Sequence, residues 1–542
     1  MSSQEDLLRP LEAPAVPLRD LLVGASVQVV SPHALIDETI VSGLTVNSRQ
    51  VVSGDVFVAL AGLKAHGARF AAGAVAQGAS VILTDHAGVQ VLAEQDFGDS
   101  APVIVQGPQG DLLRGEMAQW ASRIYGAPSQ RLSVSGLTGT NGKTTTAFFL
   151  DAIHRWVGER TALLGTVEMR LADVAVPSTR TTVESPVLQG FFSRCVQEGI
   201  DHVTMEVSSH ALALARVDGT RFGVVGFTNL QHDHLDFHHT MDEYFEAKAS
   251  LFSPGFAAHG VVVADDKWGR KLAVEAAVPV DSITTRLCDE PLFDADWRVT
   301  RTELSRDGLG VDFTLTHRQG EQIESHSPLL GAVNVSNAAL ATVMALRQGV
   351  SPEQIRLGLQ HLAIVPGRME VVSQPGQPLT IVDYAHTAEA LEFALDSLRT
   401  THHMDGVGRL IVVFGAAGDR DASKRPFMGA VAGEYADVIY VTDDDPYSED
   451  PAKICDEVAA GVFTSPRFAA LSEAEQHERL FVVSPREEAI AAAIASARLE
   501  DTVLIAGRGH ELIQDLDGYQ HELDDRVFAR ARLAEYEAVD EM

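Results

Sequence analysis

Short apolar runs recur along this chain, and longer stretches rich in Ala and Leu with helical spacing separate them. Within residues 1–128 the runs are Val56–Leu60, Val81–Leu83 and Val103–Val105. Gly126-Ala-Pro-Ser-Gln130 reads as a linker, its Gly and Pro breaking the pattern. Strands are then expected at His202–Val207, Phe222–Phe227 and Gly260–Ala264, and later at Leu379–Asp383, Leu410–Phe414, Val438–Val441 and Val503–Ala506. Strands alternating with helices predict largely parallel sheets covered by helices. Between about 296 and 330 the rhythm changes to period two at Val311, Phe313 and Leu315. Arg306-Asp-Gly-Leu309 and Arg318-Gln-Gly-Glu321 supply turns, so this stretch predicts a small antiparallel meander attached to the preceding domain. The expected architecture is α/β in three domains: 1–128, 129–364 with a mostly parallel sheet plus the small antiparallel one, and 365–542, Rossmann-like.

The segment Val134-Ser-Gly-Leu-Thr-Gly-Thr-Asn-Gly-Lys-Thr-Thr-Thr146 carries the clearest chemistry. It reads as a strand, a glycine-bearing loop and a helix starting near Lys143. Backbone N–H groups of Gly139, Thr140, Asn141 and Gly142, with the positive end of the helix, form a nest for polyphosphate. Lys143 would reach the outer phosphates, Thr144 would offer its hydroxyl to Mg²⁺, and Thr145 follows within the same turn. The fit to G-x-x-x-x-G-K-[ST] is imperfect, because the first glycine position holds Leu137. ATP is the expected ligand.

Glu206 ends a predicted strand, where its carboxylate can join Thr144 around Mg²⁺, a hard ion that prefers oxygen. The run His232-Asp-His-Leu-Asp-Phe-His-His239 has the residue types of a zinc or iron site. Its position after the strand end Gly226–Leu230 instead favours one histidine assisting Mg²⁺ and the others being structural or exposed. Phe414–Asp421 and Gly507–Glu511 are glycine-rich turns after strands, which together indicate a ligand crevice on the third domain.

Composition narrows the function classes. Against 42 basic residues stand 75 acidic ones, a net charge of −33, which argues against nucleic acid as a partner while leaving small anions open. Apolar residues make up 45% and charged residues 22%, as in soluble globular proteins. Cys195, Cys288 and Cys455 lie far apart, consistent with a reducing compartment and no cysteine metal site. No apolar run approaches a membrane span and Met1–Asp6 lacks a basic start, so a cytoplasmic protein without membrane insertion is expected.

An ordered series of motifs resembles the Mur ligases, and within them the MurE type. The series runs Ser48-Arg49 with Gly54–Phe57, Thr138–Thr145, Thr181-Thr182, Glu206–His210, Thr228-Asn229 with Asp233–Asp236, and Tyr244–Lys248. It continues through Asn334–Asn337, Gly367–Glu370, Asp383–His386, Gly418–Arg420 and Gly507–Glu511. The resemblance implies an N-terminal domain holding UDP, a central ATPase and a mobile C-terminal domain. It implies that Ser48, Lys64 and Ala65 line the uridine diphosphate site, and that Thr181, Thr182, Ser208 and Arg216 hold the muramoyl-dipeptide. By the same resemblance Asn334, Arg368 and Asp383 contact the adenine nucleotide, and Glu206 and His234 join Thr144 around Mg²⁺. Lys248, by residue type alone a helix lysine whose default is the surface, corresponds to a lysine carbamylated by CO₂ in the family. Lys143, Lys248 and His234 are thus the expected catalytic residues. The implied reaction joins an amino acid to the D-Glu γ-carboxylate of UDP-N-acetylmuramoyl-L-alanyl-D-glutamate through an acyl phosphate, in peptidoglycan synthesis.

The acceptor motif departs from the family pattern. Members using meso-diaminopimelate carry Asp-Asn-Pro-Arg, whereas this chain has Asp444-Asp445-Pro446-Tyr447. Tyr447 cannot act as a bidentate cation and Asp445 adds negative charge, so a terminal ammonium is favoured and L-lysine is the expected substrate. L-Ornithine and meso-diaminopimelate remain alternatives, the latter if Arg508 replaces the missing arginine. Arg420, Gly507 and Glu511 would hold the common α-amino acid end, and a monomer is expected. A folylpolyglutamate synthase-like ligase shares the ATPase core, but the uridine-site residues and Thr181-Thr182 count against it. A nucleotide-gated binding protein is the reading from another class, and turnover that depends on the muramoyl-dipeptide separates it from an enzyme.

Overall fold

The computed structural model describes residues 8–31, 36–62, 64–98, 101–178, 180–287, 293–305, 310–362, 364–402 and 407–536. Cys288 and the turn expected at Arg306–Leu309 lie outside the described residues. Near the N-terminus, β1 (Gln28–Val29), β2 (Gly43–Thr45), β3 (Asp55–Ala59), β4 (Val81–Thr84) and β5 (Val103–Gln106) form one sheet in the order β1-β5-β4-β3-β2. All its pairings are parallel except that of β1. Val56, Val58, Val81 and Leu83 pack on Leu113, Met117 and Trp120 of α1 (Asp111–Ile124), while Phe57 and Ile82 pack on Ala71 and Ala74. Covering both faces is what makes these strands continuous apolar runs.

Among the described residues the central sheet has eleven strands. The chain passes through β6 (Ser133–Thr138), α2 (Lys143–Trp156), β7 (Thr161–Leu164), β8 (Glu168–Leu171), β9 (Val174–Pro177), α3 (Ser185–Gln197) and β10 (His202–Glu206). Then come β11 (Phe222–Phe227), α4 (Met241–Ala249), β12 (Ala257–Val263), β13 (Val280–Thr284), β14 (Trp297–Leu304), β15 (Val311–His317), β16 (Gln322–Ser327) and α5 (Ala332–Arg347). The order is β9-β8-β7-β10-β6-β11-β12-β13-β14-β15-β16, with parallel pairing from β7 to β14. The expected antiparallel segment extends the large sheet, β15 turning into β16 through the His317–Glu321 hydrogen bond of 2.8 Å. Because β6 lies between β10 and β11, the loops after all three strands emerge at one edge, the position where ligands bind in such sheets.

In the C-terminal part, β17 (Glu370–Val371), β18 (Leu379–Asp383), α6 (Ala388–His402), β19 (Leu410–Phe414), α7 (Lys424–Tyr435), β20 (Val438–Val441), β21 (Leu480–Val482), α8 (Arg486–Ser496), β22 (Thr502–Ala506) and α9 (Asp525–Ala534) follow. The sheet order is β17-β18-β22-β19-β20-β21, parallel except for β17. Arg486 at the start of α8 and Asp525 at the start of α9 form a fully buried ion pair at 2.7 Å.

The chain divides into two compact units, residues 1–301 with 314–325 and 336–361, and residues 302–313 with 326–335 and 362–542. The N-terminal sheet and strands β6 to β13 of the central sheet lie in the first unit. Gly126–Gln130, expected as a linker, is a packed turn: Ala127 is left-handed, Pro128 starts a 3₁₀ turn, and buried Ser129 accepts the Arg221 N–H at 3.0 Å. Among the described residues no helix is long and apolar enough to cross a membrane.

Candidate active site

The loop between β6 and α2 needs its glycines. Gly139 has φ +141° and a Cβ there would lie 1.9 Å from Thr228 Oγ1; at Gly142, φ +87°, it would lie 2.3 Å from Asn337 Oδ1. Leu137, at the position of the missing first glycine, is a buried residue of β6. The segment after β11 fixes the loop: Asn229 O accepts from Thr140 N at 2.9 Å, Asn229 Oδ1 from Asn141 N at 3.0 Å, and Gln231 Oε1 from Asn141 Nδ2 at 2.7 Å. Lys143 Nζ folds over the loop and donates to the carbonyls of Gly139 and Thr140, both at 2.9 Å. Asn337, Asn229 and Gln231 support the loop without having been assigned a role from sequence; the first two lie inside quoted motifs, which was the available signal.

Thr144 and Glu206 come together as expected, the Thr144 hydroxyl donating to Glu206 Oε1 at 3.0 Å. Glu206 is buried and accepts from Thr166 N at 2.8 Å and Thr166 Oγ1 at 3.1 Å. A hydroxyl and a carboxylate are the hard oxygen donors that suit Mg²⁺. The residues expected to hold a dipeptide surround the same point. Thr181 Oγ1 lies 3.1 Å from Thr166 Oγ1, Thr182 Oγ1 donates to Glu206 O at 3.0 Å, Ser208 N donates to Thr182 Oγ1 at 3.1 Å, and Arg216 Nη1 donates to Thr182 O at 3.2 Å.

Lys248 overturns its surface default. It is 1% exposed, donates to Gly139 O at 2.8 Å and lies 4.7 Å from the Tyr244 ring centre. Two amines thus share the Gly139 carbonyl, and burial first, then the charge of Lys143, lower the Lys248 pKa well below its ordinary value. Burial thus biases this amine toward its neutral form, the form that attacks CO₂. His234, left-handed at φ 54°, stands 3.4 Å from Asp233 and edge-on to His210. Burial lowers its pKa against the pull of Asp233, and Lys143 and Lys248 lower it further, so its imidazole is biased toward the neutral form.

The His232–His239 run does not form a metal cage. His238 is buried beside Tyr244, and among the described residues the His, Cys, Asp and Glu group whose ligand atoms lie within 4.8 Å of one another is His154, Glu159 and His202, at the other end of α2 and β10. There the two imidazoles stack face to face, 3.6 Å apart and within 9° of parallel, so their in-plane lone pairs cannot point at one ion. Glu159 Oε2 lies 2.8 Å from His154 Nδ1 and Gln348 Oε1 lies 3.0 Å from its Nε2, so both ring nitrogens are engaged by protein groups.

Elsewhere in the first unit, Ser48 follows β2 while Lys64 and Ala65 follow β3, adjacent parallel strands, which brings them to one edge of the N-terminal sheet. In the second unit, the Arg368 guanidinium lies 4.2 Å over the Tyr384 ring, and Asp383 accepts from Met369 N at 2.7 Å and Ala385 N at 2.9 Å. Asn334 Nδ2 donates to Leu330 O at 2.8 Å.

The acceptor motifs gather at the ends of β19, β20 and β22. A Cβ at Gly418 would lie 1.9 Å from Pro446 O, and one at Gly507 2.7 Å from Asp444 Oδ2, so both glycines permit close approach. Arg420 lies 5.7 Å from the Tyr447 ring centre, and Tyr384 O–H donates to Glu511 at 3.3 Å. Asp445 does not present the free negative charge expected of it. Fully buried Arg508 donates to its Oδ1 at 2.6 Å, and Asp515 N donates to the same oxygen at 2.9 Å.

Comparison with known proteins follows this geometry. Residues 40–124 match the Mur ligase family, catalytic domain; residues 137–345 match the Mur ligase middle domain; residues 367–509 match the Mur ligase, glutamate ligase domain. The chain is 41% identical over 525 residues to the UDP-N-acetylmuramoyl-L-alanyl-D-glutamate--2,6-diaminopimelate ligase of Streptomyces avermitilis, covering 96% of this chain and 97% of that one. The protein of the same name from Corynebacterium glutamicum is 41% identical over 522 residues, 96% of each. A solved structure of a 2,6-diaminopimelate ligase with that name superimposes with TM-score 0.65 at 28% identity, covering 96% of this chain and 99% of that one. Folylpolyglutamate synthase of Mycobacterium tuberculosis, at TM-score 0.55 and 16% identity over 76% of this chain and 93% of that one, shares the fold.

Proposed function

The chain belongs to the Mur ligase family, an ATP-dependent ligase family, and from that premise we propose that it is a MurE-type enzyme joining a diamino acid to UDP-N-acetylmuramoyl-L-alanyl-D-glutamate. The observation that carries this reading is the convergence of Lys143, Thr144, Glu206, Thr181, Thr182, Ser208 and Arg216 on one sheet edge.

In the proposed reaction the D-Glu γ-carboxylate attacks the γ-phosphorus of ATP and ADP leaves. The acceptor amine then attacks the acyl phosphate carbonyl and phosphate leaves. Lys143, released from the loop carbonyls, follows the charge moving onto the β–γ bridging oxygen. Thr144, Glu206, His234 and carbamylated Lys248 are the residues that would hold Mg²⁺, which when bound disperses phosphate charge. The burial that biases the Lys248 amine toward its neutral form supports that modification. Cytoplasmic location, a monomer, domain limits of 1–128, 129–364 and 365–542, and nucleotide contacts from Asn334, Arg368 and Asp383 belong to the same proposal.

meso-Diaminopimelate is the acceptor favoured here over the L-lysine expected from the motif. The relatives carry diaminopimelate in their names, and Arg508 cancels the Asp445 charge on which the lysine argument rested. Tyr447, which offers no cation, keeps L-lysine as the second reading. Phosphate release with UDP-N-acetylmuramoyl-L-Ala-D-Glu, ATP and Mg²⁺ is measured with diaminopimelate, L-lysine or L-ornithine. Diaminopimelate-dependent turnover is expected; a lysine preference refutes the acceptor assignment, and no turnover with any acceptor refutes the enzyme.

A further inference from the structure

Three guanidiniums meet on one carboxylate beside Thr181 and Thr182. Glu184, just before α3, accepts from Arg180 Nη1 at 3.1 Å and Arg114 Nη1 at 3.3 Å, and Arg216 Nε stands 3.0 Å away. The three arginines come from separate places: Arg114 from α1, Arg180 from the residue preceding Thr181, and Arg216 from the segment after the helix Ser209–Ala213. Glu184 offsets one of the three charges and leaves two, inside a chain of net charge −33. Arg114, Arg216 and Glu184 are mostly buried, whereas Arg180 is 57% exposed and gives the cluster an open side. Concentrated like charge of this kind is relieved by an incoming anion.

Resting on the reading above, we propose that Arg114 and Arg180, tethered by Glu184, are positioning residues that bind the D-Glu carboxylate that is not phosphorylated, and so select an acidic peptide end. Location supports the peptide end over the diphosphate. Arg216 also donates to Thr182 O, and Thr182 donates to Glu206 O, which puts the cluster on the phosphate-loop edge, while the uridine-site residues lie on the N-terminal sheet. The γ-carboxylate loses its charge on becoming an acyl phosphate. The α-carboxylate keeps its charge throughout, so a cation matched to it contributes equally to ground and transition states and is read in KM, not kcat.

The test compares wild type, Arg180→Gln and Arg114→Gln on UDP-N-acetylmuramoyl-L-Ala-D-Glu and on its α-carboxamide analogue, with uridine diphosphate binding as a further arm. Loss of a hydrogen bond to a charged group raises KM for the acid about ten- to hundredfold. KM for the amide, KM for ATP, kcat and uridine diphosphate affinity stay near wild type, and Arg180→Lys restores part of the loss. Unchanged KM, or equal rises for acid and amide, overturns the assignment; weaker uridine diphosphate binding overturns it in favour of a diphosphate site. Arg180→Gln, at an exposed position, decides the matter if Arg114→Gln does not fold. Wild type that turns over neither substrate refutes the ligase reading and this inference together, whereas active wild type with unaltered variants refutes this inference alone.

Discussion

Glu511 should report itself in the pH dependence of acceptor use. Its carboxyl is pushed up to about 7, first by burial and then by the charge of Asp444, with a further push from Asp445 that Arg508 opposes. With Glu511 taken as the group that receives the acceptor amine, the useful anionic form is about one tenth of the enzyme at pH 6 and about nine tenths at pH 8. The ratio predicts that kcat/KM for the amino acid falls about tenfold from pH 8 to pH 6 while KM for ATP changes little. Steady-state phosphate release over pH 5.5–8.5 measures it, with Glu511→Gln as the control that removes the inflection. Asp445→Asn takes away one charge that raises Glu511 and frees Arg508, 3.9 Å from Glu511, to turn toward it, so the inflection moves down in pH. Stability has the matching sign. A carboxyl raised in the folded state binds protons there that the unfolded chain has released, so its contribution is complete below about 4.5 and is lost as pH rises through about 7. A flat acceptor profile between pH 6 and 8, or an inflection that Asp445→Asn leaves in place, refutes this reasoning.

Two further outcomes test the nucleotide end and the C-terminal core. Lys143→Ala lowers kcat about a hundred- to a thousandfold, the scale for losing one preorganised charge donor, with melting unchanged because the side chain rests on exchangeable loop carbonyls; a loss under about tenfold refutes its role. Arg486→Met leaves Asp525 buried without its partner and costs about 3–5 kcal/mol of opening free energy, read from hydrogen exchange of the β22 amides, since Arg486 also donates to Ala506 O at 2.9 Å; a change below about 1 kcal/mol refutes the pairing.

The apolar runs and the phosphate loop were legible because their causes are local: strands covered on both faces show as unbroken hydrophobic segments, and a tight anion loop needs glycine where φ is positive. At Gly126–Gln130 the composition of a linker does not show how tightly the segment packs, which appears in the burial of Pro128 and Ser129. Lys248 was legible only through its motif. Its helix positions say nothing of the Gly139 carbonyl more than a hundred residues earlier, to which it is turned by long-range packing. A dense set of ligand-type residues such as the His232–His239 run is not a site unless their lone pairs converge.

Asp445 shows where motif reading stops. Within Asp444-Asp445-Pro446-Tyr447 it is a surplus negative charge, and electrostatics applied to that segment alone favours a cationic acceptor tail. The sheet order β22-β19-β20 places the end of β22 one strand away, and Arg508 arrives with its guanidinium fully buried. The charge the motif displays is thereby spent inside the protein. A buried arginine costs several kcal/mol to desolvate unless a carboxylate meets it, so Asp445 answers a structural demand created by Arg508, not one created by the substrate. The two residues are therefore coupled: in Asp445→Asn the Arg508 guanidinium, 3.9 Å from Glu511, is left to that carboxylate. In the proposed acceptor site the choice of amino acid then falls to Tyr447, Arg420 and Glu511, with Arg420, beside the Tyr447 ring, the cation available for a second carboxylate.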